Sequence, residues 1–167
     1  GVELAPIACA RTSELWKYTI VEVAFEREAR TARLTLELPA QAGELPFRIT
    51  TLPLMHTDPV LGMRLELEGK TVTYCTDTGY CPNALTLAKG ADLLITECAH
   101  LPGELNPVWP HFNPETAGRL AAEAGVKRLV LTHFSAGRYH TERLRAVALR
   151  HARKVFQETA AAKDGLK

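Results

Sequence analysis

The chain has 167 residues, 46% of them hydrophobic and 23% charged, with a formal net charge of +1. That length supports one domain with a real core, and the balanced charge excludes a strongly basic nucleic-acid surface as its organising feature. No apolar run is long enough to span a bilayer and no signal-peptide pattern is present, so a cytoplasmic protein is expected.

Residues 1–16 are weakly patterned. Tyr18 to Phe25 is rich in β-branched and aromatic residues and reads as a strand; Glu26 to Ala32 is a charged link, and Arg33 to Leu38 alternates as a half-buried strand does. Pro39 to Pro46 breaks that pattern. Phe47 to Met55 is extended, with Pro53 marking an edge or a bulge, and it delivers His56 at its end. Met63 to Glu68 and Thr71 to Cys75 flank Glu68-Gly69-Lys70, a hairpin signal.

After Gly79 the spacing predicts a helix over Pro82 to Lys89, with proline in its first turn and Gly90 just past its end. Leu93 to Thr96 is nearly all apolar and suggests a strand covered on both faces. Residues 98–112 carry three prolines, a tryptophan and two histidines, which makes a loop of a length that is often functional. Asn113 is a natural N-cap, Pro114 suits the first helical position, and Gly125 stops that helix after Ala124. Arg128 to Thr132 is another apolar strand, ending on His133. Thr141 caps a last helix whose apolar face carries Leu144, Val147, Ala148, Ala152, Val155 and Phe156. Neither a repeat nor a linker interrupts residues 1–167, so a single α/β domain is expected.

Strands in such folds gather chemistry at their ends, where side chains leave the core. Two of these strands finish on an acid, Asp77 and Glu97. His56, His111 and His133 each stand at or near the end of an element. Imidazole and carboxylate form the ligand set of zinc and similar ions at hydrolytic centres, and a carboxylate between two cations can bridge them. His56, Asp77 and His133 would supply that set from three strand ends. Glu97 would orient or charge His111, giving an acid/base pair beside a helix N-terminus that favours an anion. Taken singly these residues have plainer readings: Asp77 as a turn former, Glu97 as one half of an ion pair. His100 and His140 carry no pattern above that of surface residues, and His151, in the charged final helix, is expected to be solvated. Cys9, Cys75, Cys81 and Cys98 form no C-x-x-C pair; the last three stand near the candidate site, but small buried hydrophobes are the plain expectation.

The order of these motifs resembles the C-terminal half of a metallo-β-lactamase superfamily hydrolase, of the ribonuclease Z-like and phosphodiesterase branch. The resemblance rests on His56, on Tyr74 to Gly79, on Gly90 to Glu97, on His111 with Pro114 to Ala122, and on Gly125 to Ser135. It implies half of an αββα sandwich, or a contribution to one: a mixed sheet with helices on one face. It also implies a dinuclear centre of two divalent ions, zinc first and manganese or iron as alternatives. His56 would hold the first ion, Asp77 would bridge, and His133 would hold the second. His111 would meet the scissile phosphate and protonate the leaving oxygen, with Glu97 as its acidic partner.

Two departures qualify that implication. The family's N-terminal signature His-x-His-x-Asp-His has no counterpart, because no two of the six histidines stand two residues apart. Three residues shared between two ions bind metal weakly, so the chain would be a fragment, a decayed homologue, or part of a site completed elsewhere. In addition, His56 and Asp77 are only 21 residues apart, which leaves no room for the RNA-gripping arm of transfer-RNA processing members. The expected activity is therefore hydrolysis of a small phosphodiester or ester. The alternative is a non-catalytic, partner-binding subunit of the same fold, since half a sandwich leaves a sheet face that favours a homo-oligomer or a complementing N-terminal half.

Overall fold

A computed structural model of the protein describes residues 19–26, 31–37 and 47–163. The chain divides into two units between Leu45 and Pro46. In the first, β1 (Thr19–Glu26) and β2 (Thr31–Glu37) pair antiparallel, with a register shift between Ile20 and Glu22. The expectations for residues 1–16 and for the break from Pro39 to Pro46 fall outside the described residues, as does Cys9.

The second unit is built on a six-stranded sheet. Its strands are β3 (Phe47–Pro53), β4 (Leu61–Leu67), β5 (Lys70–Cys75), β6 (Leu93–Glu97), β7 (Leu129–Thr132) and β8 (Thr159–Ala161), side by side in that order. The first three run antiparallel, and from β5 onward neighbours run parallel. Each parallel step needs a crossover, and each crossover carries a helix: α1 (Pro82–Ala88), α2 (Pro114–Ala124) and α3 (Glu142–Val155).

Local chemistry accounts for most boundaries. Glu68 and Gly69 both take positive φ, +50° and +71°, and close β4 onto β5 as a two-residue turn. Pro53 sits at the end of β3, the edge strand, where a missing N–H costs no ladder bond. Asn113 caps α2 by accepting from Thr116 N–H at 2.8 Å, while Thr116 Oγ1 accepts from Asn113 N–H at 3.0 Å. Gly125, at φ +64°, ends that helix with its N–H turned back to Ala121 and Ala122. Arg64 reaches across from β4 and donates to the carbonyls of Leu87 and Lys89 at the end of α1. Gly118 lets α3 come close, since a Cβ there would stand 3.0 Å from both the Ala152 carbonyl oxygen and Val155 Cβ.

The two faces of the sheet differ. Thr73, Cys75, Leu94, Thr96, Leu129 and Leu131 are fully buried under the helices with Leu87, Leu120 and Phe112. Each such leucine contributes roughly 1.5–3 kcal/mol by leaving water. On the other face Leu65, Val72, Leu93, Ile95 and Val130 are half-buried, and Met63, Leu67 and Tyr74 are exposed. The expectation that Leu93 to Thr96 is covered on both faces is therefore corrected: all three helices occupy one face, so alternate residues only are sealed. The sequence reading also omits β8, which takes its place through Leu129 N–H to Glu158 O and Ala162 N–H to Leu131 O.

Candidate metal centre

β5, β6 and β7 run parallel, so their C-terminal ends lie on one edge of the sheet and deliver Asp77, Glu97 and His133 to the same place. His56 arrives from the segment after β3, which is stapled to the turn after β5. Met55 N–H donates to Thr78 Oγ1 at 3.1 Å and Gly79 N–H to Met55 O at 3.0 Å. Asp77 and His133 leave their strands in the left-handed region, at φ +60° and +45°. Non-glycine residues hold that conformation at a cost of order 1–3 kcal/mol each, which persists where the surroundings enforce it, often at functional sites.

Asp77 Oδ1 is the hub. It lies 3.4 Å from His56 Nε2, 3.7 Å from His111 Nδ1 and 4.0 Å from His133 Nδ1. Among the described residues two overlapping sets, His56 with Asp77 and His111, and Asp77 with Glu97 and His133, bring their donor atoms within 4.8 Å of one another. The structure thus gathers all five of the residues singled out in the sequence. The same donor set of imidazoles and carboxylates suits a zinc-like divalent ion. One buried side-chain atom among the described residues, His111 Nε2, has no hydrogen-bond partner, as a ring nitrogen reserved for something further would. His56 is nearly enclosed and accepts from Asp58 N–H at Nδ1, 3.2 Å. With Nδ1 accepting, the Nε2 atom faces Asp77.

Glu97 is fully buried at the end of β6. Its carboxyl accepts from the Thr78 N–H and, at 3.3 Å, from the Ala99 N–H, and it meets His111 Nδ1 at 2.8 and 2.9 Å. Burial is the largest influence on both partners and disfavours charge on each. It pushes Glu97 up to about 8, against the opposing backbone donors, and His111 down to about 4, against the nearby Asp77 carboxylate. Between those values the pair is neutral as a whole, with one proton between Nδ1 and the carboxyl and a second on Nε2.

Of the expectations about other residues, those for Cys75, Cys81, Cys98 and His140 hold, and those for His100 and His151 are corrected. Cys75, Cys81 and Cys98 are buried, and burial pushes Cys75 and Cys98 up to about 12, so these are uncharged thiols. His100, expected at the surface, is fully buried. Its Nε2 faces the Trp109 carbonyl at 3.1 Å, its Nδ1 faces Arg138 Nη1 at 3.1 Å, and its ring stands 5.5 Å from that of His111. Arginine can only donate, so Nδ1 accepts and Nε2 carries the proton. His151, expected to be solvated, pairs with Glu115 at 2.6 Å because α3 packs on α2. His140 is exposed, as expected. His100 meets Glu104, four positions on, at 3.5 Å, but its hydrogen-bond partners lie 9 and 38 positions away.

Comparison with known proteins agrees with this architecture. The family model described as a β-lactamase superfamily domain matches residues 4–134. A ribonuclease Z of Synechococcus sp. (strain CC9605) is 43% identical over 107 residues, covering 60% of this chain and 33% of that protein. The probable metallo-hydrolase YhfI of Bacillus subtilis is 38% identical over 96 residues, 58% of this chain and 38% of that one. Its crystal structure superposes with a TM-score of 0.63 at 36% identity, over 77% of this chain and 51% of YhfI. Human tRNase Z, short form, shares the fold at 22% identity, with a TM-score of 0.56 over 86% of this chain and 47% of that one. The chain spans about a third of the length of the curated relatives it matches. On the family model, these relatives and the shared fold, the chain belongs to the metallo-β-lactamase superfamily.

Proposed function

We propose that this chain belongs to a metal-dependent hydrolase acting on a small phosphodiester. The observation that carries this reading is the convergence of His56, Asp77, Glu97, His111 and His133 on one edge of the sheet, with Asp77 Oδ1 within 4.0 Å of three imidazoles. His56 and His133 would each hold one divalent ion and Asp77 would serve both, with zinc favoured over manganese or iron by the nitrogen-rich donor set. Such ions, when bound, lower the pKa of water and offset the charge of a phosphoryl group.

The protein's own share is proton handling. Glu97 fixes the His111 ring at Nδ1, which leaves Nε2–H as the free donor in the neutral pair. As the bond from phosphorus to the leaving oxygen breaks, that oxygen takes the Nε2 proton and the proton shared with Glu97 settles on the ring. Only the β4–β5 hairpin separates His56 from Asp77, which supports a small substrate rather than transfer RNA.

The test is turnover of bis-p-nitrophenyl phosphate, with metal content measured on the same sample, in the presence and absence of a polypeptide carrying His-x-His-x-Asp-His. Turnover is expected with that polypeptide and a divalent ion, and loss of it in Asp77→Ala; full activity in the variant would overturn the assignment. A second reading, a non-catalytic subunit, is favoured by the exposed Met63, Leu67 and Tyr74 on the helix-free face. It predicts association, with a second copy or with the complementing half, without turnover. Sedimentation as a monomer, unchanged by the added polypeptide, would count against it.

A further inference from the structure

Beside His111 the loop after β6 does something unusual for an exposed loop: it holds apolar side chains out in solvent on a fixed frame. Val108 is 82% exposed, Leu105 73% and Trp109 42%. The segment from Leu105 to Pro110 reads Leu-Asn-Pro-Val-Trp-Pro and contains no ionisable side chain.

Its frame is well bonded. Asn106 Oδ1 accepts from Val108 N–H at 3.0 Å and from Trp109 N–H at 3.1 Å. Asn113 Nδ2 donates to Glu104 O at 2.8 Å, and the Glu104 carboxylate takes Leu101 N–H at 3.0 Å and the Arg138 guanidinium. The His100 ring holds the Trp109 carbonyl from beneath. Pro110 is wedged against the turn after Asp77, where a Cβ on Gly79 would come within 2.8 Å of Pro110 Cβ. Backbone groups satisfied this way leave the loop little reason to collapse and bury its tip.

Trp109 also touches the proposed chemistry. Its ring stands 4.3 Å from that of His111, nearly perpendicular to it. We propose that Trp109 is a specificity-determining residue, forming with Val108 and Leu105 an apolar lip that receives a planar aromatic group carried on the substrate's leaving oxygen. The placement rests on the reading of His111 as the proton donor to that oxygen, because the group attached there is then the one beside Trp109. An uncharged lip offers little to a charged or strongly hydrated group, whereas an indole set against the His111 and His100 rings and still 42% exposed offers a large aromatic area.

The experiment reads binding, not turnover. In a Trp16→Phe background Trp109 is the chain's single tryptophan, so its fluorescence reports on the lip directly. Phenyl phosphate is expected to quench it and to bind about tenfold more tightly than methyl phosphate, in line with the energies of aromatic stacking. By calorimetry the preference should fall to within about twofold in Trp109→Ala and be kept in Trp109→Phe. Should the alanine variant fail to fold, Trp109→Leu, which keeps bulk without the aromatic face, carries the same expectation. Equal affinities in the parent chain, a preference that survives removal of the ring, or no binding of phenyl phosphate would each overturn the proposal. An aromatic preference in a protein that never hydrolyses the diester sinks the hydrolase reading and keeps the lip; turnover without the preference does the reverse.

Discussion

The candidate centre has a closed side and an open side. Glu97 and His111 are enclosed, and the Glu97 carboxyl meets the backbone N–H groups of Thr78, Ala99 and Phe112 and the His111 imidazole nitrogen. Asp77 and His133 have side chains 41% and 50% exposed, and Asp77 Oδ1 meets the imidazoles of His56, His111 and His133 at 3.4, 3.7 and 4.0 Å. The same sheet edge delivers both sides. On the proposed reading, the proton-handling pair would be fixed by residues of this unit, whereas on the ion-holding side, where His56 is nearly enclosed, Asp77 and His133 would keep open directions in which further ligands enter.

The sharpest way to break that contrast is to remove one carboxylate from each side and unfold the variants. Glu97→Ala strips the acceptor from the Thr78 and Ala99 N–H groups and from His111 Nδ1, all buried. It should lower the unfolding free energy by about 3–5 kcal/mol in a denaturant titration. Asp77→Ala should cost no more than about 1 kcal/mol, and the relief of its left-handed backbone will not be felt because alanine keeps a Cβ. Equal costs would mean that the two sides are not mechanically distinct. Zinc affinity should rank them the other way. Competition with a chromophoric chelator should find Asp77→Ala weaker by about a hundredfold, and Glu97→Gln, whose side-chain partner His111 is not among the proposed ligands, changed by less than about threefold.

Much of this arrangement is readable one residue at a time. Asn113-Pro114 and Gly125 announce α2 because capping is decided within four residues, and Glu68-Gly69 announces its turn because two positive φ values suffice. Glu97 and His133 are found because a strand's last residue is where an apolar run stops. What local chemistry cannot show is long-range pairing. Thr159-Ala160-Ala161 has little strand character, and β8 exists because β7 offers it an edge. His151 looks solvated until α3 is laid on α2 and Glu115 comes within reach.

His100 is the most instructive of these, since it supports the closed side from behind. His100→Ala leaves the Trp109 carbonyl and one Arg138 N–H without their partner and should cost about 2 kcal/mol of stability. It should also loosen the lip, so that phenyl phosphate loses part of its advantage over methyl phosphate while zinc affinity changes less than about threefold, below the tenfold effects of ligand-orienting groups. A variant as stable as the parent chain would show that the closed side does not depend on this buried ring.

The gentlest probe is pH, applied with a chelator present so that only protons compete for the site. Burial raises Glu97 from 4.5 to about 8, so its contribution to stability is complete below 4.5 and is lost as pH rises through about 8. Burial lowers His111 from 6.5 to about 4, so its contribution is complete above 6.5 and is lost as pH falls through about 4. Between 4.5 and 6.5 the two slopes oppose and cancel. Above 6.5 only the Glu97 slope remains, and its limit is about 1.4 kcal/mol per pH unit. Stability should therefore fall by about 1 kcal/mol between pH 6.5 and 7.5 in the parent chain, after allowance for the tail of the histidine titration. In Glu97→Gln the carboxyl proton is gone and that fall should vanish. A parent chain with a flat profile above 6.5 would mean that Glu97 is already ionised in the folded protein, and the closed side would then hold a charge instead of a shared proton.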